Sequence, residues 1–216
     1  MVWQPIRRIN LTFSKNYAII IIESEGKNMT TKLLGILRSI ECDEVNVANV
    51  CEECLSDYNY SYGSSKIVVF EGNWVYKKIF GNAPQDECEI YKKAIAAGLS
   101  DFFAASMMKF EDIYIQETIE MPLDRYIREA AKVRGKFPYG EMRESYRKMG
   151  LEQLLYRSDC VVIYYLLAQH GIEEVLKFQD FVVENDMTDL NFYNAGFRNG
   201  RIVFFDYSGI DMELME

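Results

Sequence analysis

Near the end of the chain, the stretch TDLNFYNAGFRNGRIVFFDYSG (188–209) carries Asp189, Asn194 and Asp206. Asp189 and Asn194 lie five positions apart in DLNFYN, a loop-like segment after a long apolar run, and Asp206 closes the strand-like RIVFFD just before YSG. Three oxygen-bearing side chains gathered at one mouth suit a hard cation. Mg²⁺ takes oxygen ligands, keeps several waters, and is typically held by one or two side chains together with substrate phosphates. The chemistry these residues suggest is therefore handling of phosphate through a metal.

Such groups work only if other elements hold them around one pocket. KIVVF (66–70) and WVYKKIF (74–80) are rich in branched and aromatic residues and flank EGN, the pattern of a β-hairpin. Strand alternation puts Val75 and Lys77 on one face and Lys78 on the other. QDECEIYKKAIAAG then has helical spacing and stops at Gly98; Glu87, Ile90, Tyr91 and Ala94 form its inward stripe, with Glu89 as a second acidic position on the same helix. FEDIYIQETIEM returns to strand character, with Glu111 and Asp112 at a tight turn.

Residues 30–39 and 45–57 also show helical spacing. Beyond Pro122 come LDRYIREAAKVRG, a break near KFPYG, and EMRESYRKMGLEQLLYRSDCVVIYYLLAQHG, which is expected to form one or two helices. CVVIYYLLA is apolar on every face, as in a helix buried within a lobe, and is too short to span a bilayer. IEEVLKFQDFVVEN continues as helix, and RIVFFDYSG closes as a strand after the turn RNG. A strand-rich half followed by a helix-rich half predicts an α+β protein of two lobes with a cleft between them.

Composition narrows the partners. The chain has 216 residues, 49% of them apolar, enough for a sizeable core, and a formal charge of −9, which argues against a nucleic-acid backbone as main partner. Between Asp124 and Asp159, nine basic side chains face six acidic ones, read as a solvated helical face. Five cysteines, an odd number without the density of a disulfide scaffold, favour a reducing cytoplasm. The pair Cys51 and Cys54 reads as two residues one helical turn apart, and His170, just before Gly171, as a helix-end residue meeting exposed carbonyls. The run YAIIII after Arg7, Arg8 and Lys15 is too short for a membrane span or secretory segment and reads as a short strand or loose arm, with Met29 as an alternative start of the folded protein.

DLNFYN followed by DYSG resembles the protein-kinase-like superfamily, whose catalytic loop reads D-L-x-x-x-N and whose metal-binding aspartate follows a short strand pair. The likeness is greatest to the aminoglycoside-phosphotransferase-like branch and to compact kinase-like proteins of tailed phages, and it covers about residues 60–209. It implies ATP and Mg²⁺ as cofactors and transfer of the γ-phosphate to a hydroxyl of a small molecule or protein, in the host-cell cytoplasm if the chain is phage-encoded. Asp189 would receive the hydroxyl proton or orient the nucleophile; Asn194 and Asp206 would hold metal. Lys77 would reach the phosphates, with Glu87 as its ion partner and Glu89 as the alternative. Gly63, Ser64 and Ser65 would form the phosphate-covering loop, Val75 would roof the adenine, and backbone groups near Glu117 and Ile119 would bind its edge. The implied organisation is a segment 1–58 without an assigned role, an N-lobe over 59–121 ending in a hinge, and a truncated helical C-lobe over 122–216 whose part 122–157 would select the acceptor.

NDMTDL stands where the family has H-R-D or H-G-D, and two further departures favour a pseudokinase or nucleotide-binding interaction module as the competing reading: Gly63 is a lone glycine in its loop, and the later helices on which the family docks substrates are missing after Gly209. A small α+β regulatory protein without a nucleotide site is the third.

Overall fold

The computed structural model describes residues 27–43, 45–63, 65–80, 86–120, 131–133, 135–136 and 138–207. The apolar run YAIIII, the breaker residues Gly81, Asn82 and Pro84, most of LDRYIREAAKVRG, and Ser64 all lie outside them. The chain divides at Ser39 into two compact units. Of the first, helix α1 (Lys27–Ser39) is described; Leu33 and Leu37, one turn apart, are its buried residues, as the spacing of TTKLLGILRSI predicts.

The second unit, Ile40–Glu216, is α+β. It begins with α2 (Val47–Leu55), which buries Val47, Cys51 and Leu55 at intervals of four, a single apolar stripe. A five-stranded antiparallel sheet follows, in the order β1-β2-β3-β5-β4: β1 (Asn59–Tyr62), β2 (Lys66–Glu71), β3 (Trp74–Ile79), β4 (Ser106–Phe110) and β5 (Ile113–Glu117). The β2–β3 hairpin is tight because Gly72 adopts φ 61° directly after Glu71, which pairs with Trp74. β1 is an addition to the sequence reading. Its residues NYSY are largely exposed on the sheet edge, where no apolar alternation marks a strand.

Between β3 and β4 runs α3 (Glu87–Ala96), started by Asp86, whose carboxylate accepts from the N–H groups of Cys88 and Glu89, and ended near Gly98 at φ 73°. β4 begins at Ser106, earlier than its sequence suggests, and turns into β5 through Glu111 at φ 55°.

The helical part comprises α4 (Tyr139–Lys148), α5 (Glu152–Arg157) and α6 (Cys160–Glu184). The expected one or two helices over 141–171 are thus three segments. Gly150 at φ 83° ends the first, and Ser158, extended at φ −143° and ψ 163°, ends the second. The buried Gln179 side chain clamps the first joint, accepting from Leu154 N–H at 3.0 Å and donating to Gly150 C=O at 3.0 Å. α6 itself is interrupted at Gly171 (φ 76°, ψ 170°). Cys160, Val161, Val162, Ile163 and Leu166 are buried, as CVVIYYLLA predicts, while Tyr164 and Tyr165 are half-buried.

His170 corrects an expectation. Instead of meeting helix-end carbonyls, its ring stacks on Phe102 at a centroid distance of 4.0 Å, and Phe102 stacks in turn on Phe178 at 4.4 Å. Apolar contact places this residue. Burial lowers its pKa, and its Nε2 has no hydrogen-bond partner among the described residues.

A two-stranded ribbon, β6 (Ala195–Arg198) and β7 (Arg201–Phe204), closes the fold through Asn199 and Gly200, both at positive φ. It is stitched to the segments flanking β4 and β5. Ala104 N–H donates to Phe204 C=O at 2.7 Å, and Glu120 and Phe197 exchange backbone hydrogen bonds of 3.2 and 2.9 Å. The latter approach requires glycine at 196, because a Cβ there would lie 2.5 Å from Ile119 Cγ2.

Candidate active site

The β2–β3 register follows from the two-residue turn and pairs Val68 with Lys77 and Phe70 with Val75. Cross-strand partners share a face. Lys66, Val68 and Phe70 therefore stand on the same side of the sheet as Val75 and Lys77, and all five line one pocket with Gln116, Glu117, Ile119, Phe205 and Asp206.

Lys77 is almost fully enclosed, and its ammonium lies 2.9 and 3.1 Å from the two oxygens of Glu87. Both side chains are 4% exposed, so neither relies on water for compensation. Glu87 comes from the first turn of α3, and Gln116 Nε2 stands 3.4 Å from its second oxygen. Burial holds the Glu87 carboxyl above its ordinary pKa, against the pull of Lys77. Glu89, the alternative partner, faces solvent and pairs with Lys92 at 2.5 Å. Lys78 bonds Asp112 at 2.6 Å on the opposite side of the strand.

The Lys77 ammonium also donates to the backbone carbonyl of Phe205, across 128 residues of chain. That contact brings the closing segment to the hairpin. Asp206 follows directly, and its carboxylate is paired with Lys66. Burial pushes its pKa up, but the Lys77 and Lys66 ammoniums together outweigh it and hold the carboxyl below its usual range. Tyr207, fully buried, anchors the segment by donating to Ala104 C=O at 3.0 Å.

Asn194 links Asp206 to Asp189. Its backbone carbonyl accepts from Phe205 N–H at 2.9 Å and Asp206 N–H at 3.3 Å, while its side-chain Nδ2 donates to Asp189 C=O at 2.8 Å and Asp189 Oδ2 at 2.9 Å. The amide nitrogen is thus committed, which leaves Oδ1 as the atom suited to a cation. Asp189 holds φ 59°, a conformation an aspartate keeps when its surroundings impose it, and Asn191 Nδ2 also donates to its carboxylate.

Two further residues secure this loop. Ser158 Oγ donates to Leu190 C=O at 2.6 Å, and Asp159 caps α6 through the N–H groups of Val161 and Val162 while accepting from Phe192 N–H at 2.9 Å.

The remaining expected residues divide. Val75 and Ile119 line the pocket, and Ile119 N–H makes no hydrogen bond among the described residues, so an adenine edge could accept from it. Glu117 N–H is already spent on Ala105 C=O at 3.0 Å, and the Glu117 side chain bonds Arg198 at 2.8 Å. Gly63 and Ser65 do not line the pocket. Gly63 N–H bonds Lys66 C=O at 2.9 Å, closing a short connection between β1 and β2. Lys66, Gln116 and Phe205 are pocket residues the sequence reading did not single out. Strand alternation across KIVVF and WVYKK contained the signal for Lys66; nothing local marks Gln116 or Phe205, which arrive through long-range pairing.

Among the described residues no three His, Cys, Asp or Glu side chains converge as a self-sufficient metal site. The donor types do suit a hard cation that also takes ligand oxygens: the Asp206 carboxylate, kept ionised by its cationic neighbours, and the Asn194 amide oxygen, which belongs to a residue joined to Asp206 through the backbone but not lining the pocket. Among the described residues, too, no helix is long and apolar enough to cross a membrane. No family model matches the chain, nor does any curated protein or solved structure.

Proposed function

We propose that the chain is a protein-kinase-like phosphotransferase that binds ATP in this pocket and moves its γ-phosphate to a hydroxyl of a small molecule or protein. In this reading the sheet and α3 form a strand-rich N-lobe, the segment near Ile119 is the hinge, and the helices with the β6–β7 ribbon form a helical C-lobe. One observation carries the proposal. A lysine from an early hairpin, ion-paired to a helix glutamate, donates to the Phe205 carbonyl of the closing segment and lines, with the neighbouring Asp206, a pocket whose remaining wall is largely apolar. Such a pocket matches a ligand with a flat apolar end and an anionic end.

Phosphoryl transfer relies mainly on positioning and charge stabilisation, and each residue contributes on those terms. Val75 and Ile119 sandwich the base, and Ile119 N–H binds its edge. Lys77 holds phosphate oxygens, aimed by Glu87. Asp206 and Asn194 would hold Mg²⁺, which neutralises phosphate charge when bound. Asp189 accepts the acceptor's hydroxyl proton as its oxygen bonds to phosphorus, and the bond to the departing ADP breaks with its electron pair on ADP.

Thermal unfolding with nucleotide is the test. ATP with Mg²⁺ is expected to raise the melting temperature, because a ligand that binds only the folded state stabilises it. No shift at millimolar nucleotide would sink the reading. Asp189→Ala is expected to keep that shift while transfer to a panel of hydroxyl acceptors falls about 10²–10⁴-fold. The loop glycine outside the pocket and the Lys66–Asp206 pair favour a second reading, a nucleotide-binding pseudokinase, which gains if wild type binds ATP yet transfers to no acceptor.

A further inference from the structure

Phosphate-binding loops work through several backbone N–H groups that approach the ligand closely, which is why they are rich in glycine. The connection from β1 to β2 has a lone glycine, and Gly63 spends its N–H on Lys66 C=O within the turn. Gly63 and Ser65 stay off the pocket wall. The next residue, Lys66, does line it. Its ammonium reaches the Asp206 carboxylate, and the two side chains are 20% and 22% exposed, so the pair sits at the solvent side of the enclosed Lys77–Glu87 pair.

Two lysines therefore hold the closing segment, Lys77 at the Phe205 carbonyl and Lys66 at the neighbouring Asp206 carboxylate. Lys77 has Glu87 as a dedicated counter-ion, whereas Lys66 pairs with Asp206, the proposed metal ligand. A cation arriving at Asp206 and the Lys66 ammonium compete for the same oxygens, and like charges at that range repel. A triphosphate relieves the conflict by offering the displaced ammonium new anionic oxygens.

We infer that Lys66 is a second phosphate-binding residue, which neutralises Asp206 in the nucleotide-free protein and transfers to the phosphates when nucleotide and metal enter. This rests on the nucleotide reading and deepens it: the phosphate grip that a glycine-rich loop would supply by backbone comes from a side chain one residue beyond the loop.

Calorimetric titrations of wild type, Lys66→Met and Lys66→Arg with ATP–Mg²⁺ and with adenosine test it, alongside Mn²⁺ binding to the nucleotide-free proteins followed by electron spin resonance. Loss of one charge-assisted contact predicts ATP affinity lower by about ten- to a hundredfold in Lys66→Met, with adenosine affinity unchanged. Lys66→Arg keeps the charge and should stay near wild type, which controls for a folding defect. Mn²⁺ should bind nucleotide-free Lys66→Met more tightly than wild type, the opposite sign to the ATP effect. If wild type binds ATP and Lys66→Met binds it equally well, or loses ATP and adenosine together, the inference is overturned while the nucleotide reading stands. A wild type that binds neither ligand overturns the nucleotide reading itself.

Discussion

The candidate site has two halves built on different principles: a pocket on the sheet, and a loop whose Asp189 and Asn194 do not line that pocket. On the sheet side, Lys77 and Glu87 are enclosed, compensated by each other, and mounted on a paired strand and the first turn of a capped helix. On the loop side, Asp189 lies in irregular backbone and Asn194 ends a single 3-10 turn (Phe192–Asn194), both only partly buried, with Asp189 at positive φ and its carboxylate held by neighbouring amides. The first half is held by regular ladder hydrogen bonds and desolvation. The second depends on a chain of individual contacts from Ser158, Asp159 and Asn191. Damage to the sheet side should therefore appear as lost stability, and damage to the loop side as lost function in a folded protein.

The sharpest break of that contrast is Lys77→Met. It strands a buried carboxylate, for which about 3–5 kcal/mol of destabilisation is expected in denaturant unfolding. Adding Glu87→Leu should recover much of that stability without restoring nucleotide binding, since an apolar pair can replace a buried ion pair. Recovery of binding by the double variant would refute the role given to Lys77.

Next in size is Gly196→Ala, at the seam between the ribbon and the segment of Ile119 and Glu120. The added Cβ meets Ile119 Cγ2 and lies 3.0 Å from Glu120 C=O, so overpacking should cost about 1–3 kcal/mol and weaken nucleotide binding through Ile119. An unaltered unfolding midpoint would show that the seam yields without cost.

Asp159→Ala sharpens the loop side. Losing the α6 cap should cost about 1 kcal/mol. The freed Phe192 N–H should disturb the loop carrying Asp189, so phosphate transfer should fall more than nucleotide affinity. Equal loss of both would place Asp159 with the sheet-side residues.

The smallest effect concerns His170, away from both halves. Its folded pKa is depressed by burial, so its contribution to stability is fully present above its unfolded pKa of about 6.5 and is lost as pH falls through the folded value. The difference in stability between wild type and His170→Phe should vary with pH only in that acid window. A difference constant from neutral pH down through the acid range would show that folding leaves the His170 pKa unshifted.

How much of this could be read along the chain depended on the range of the interaction. The β2–β3 hairpin, α2 and α3 were legible because their signals are local: a turn glycine, an alternation of two, a stripe at three and four. The choice of Glu87 over Glu89 followed from the same stripe, since the inward position meets the strand lysine and the other meets solvent. β1 and the start of β4 were not legible, because an exposed edge strand and a Met-rich one carry no clear alternation. Neither was the splitting of 141–171, where apolar residues continue across breaks set by Gly150 and Ser158. His170 was misread because its placement depends on Phe102, far away in the chain.

By itself the sequence determined which residues carry charge and oxygen, that Val75 and Lys77 share a strand face, and that the chain is α+β, because periodicity and residue chemistry act over a few positions. Tertiary structure alone decided that Lys77 meets the carbonyl of Phe205, that Lys66 pairs with Asp206, and that Gln116 lies beside Glu87. Those contacts join residues dozens to more than a hundred positions apart. Their geometry is set by how the sheet and the closing segment pack, which no local pattern encodes.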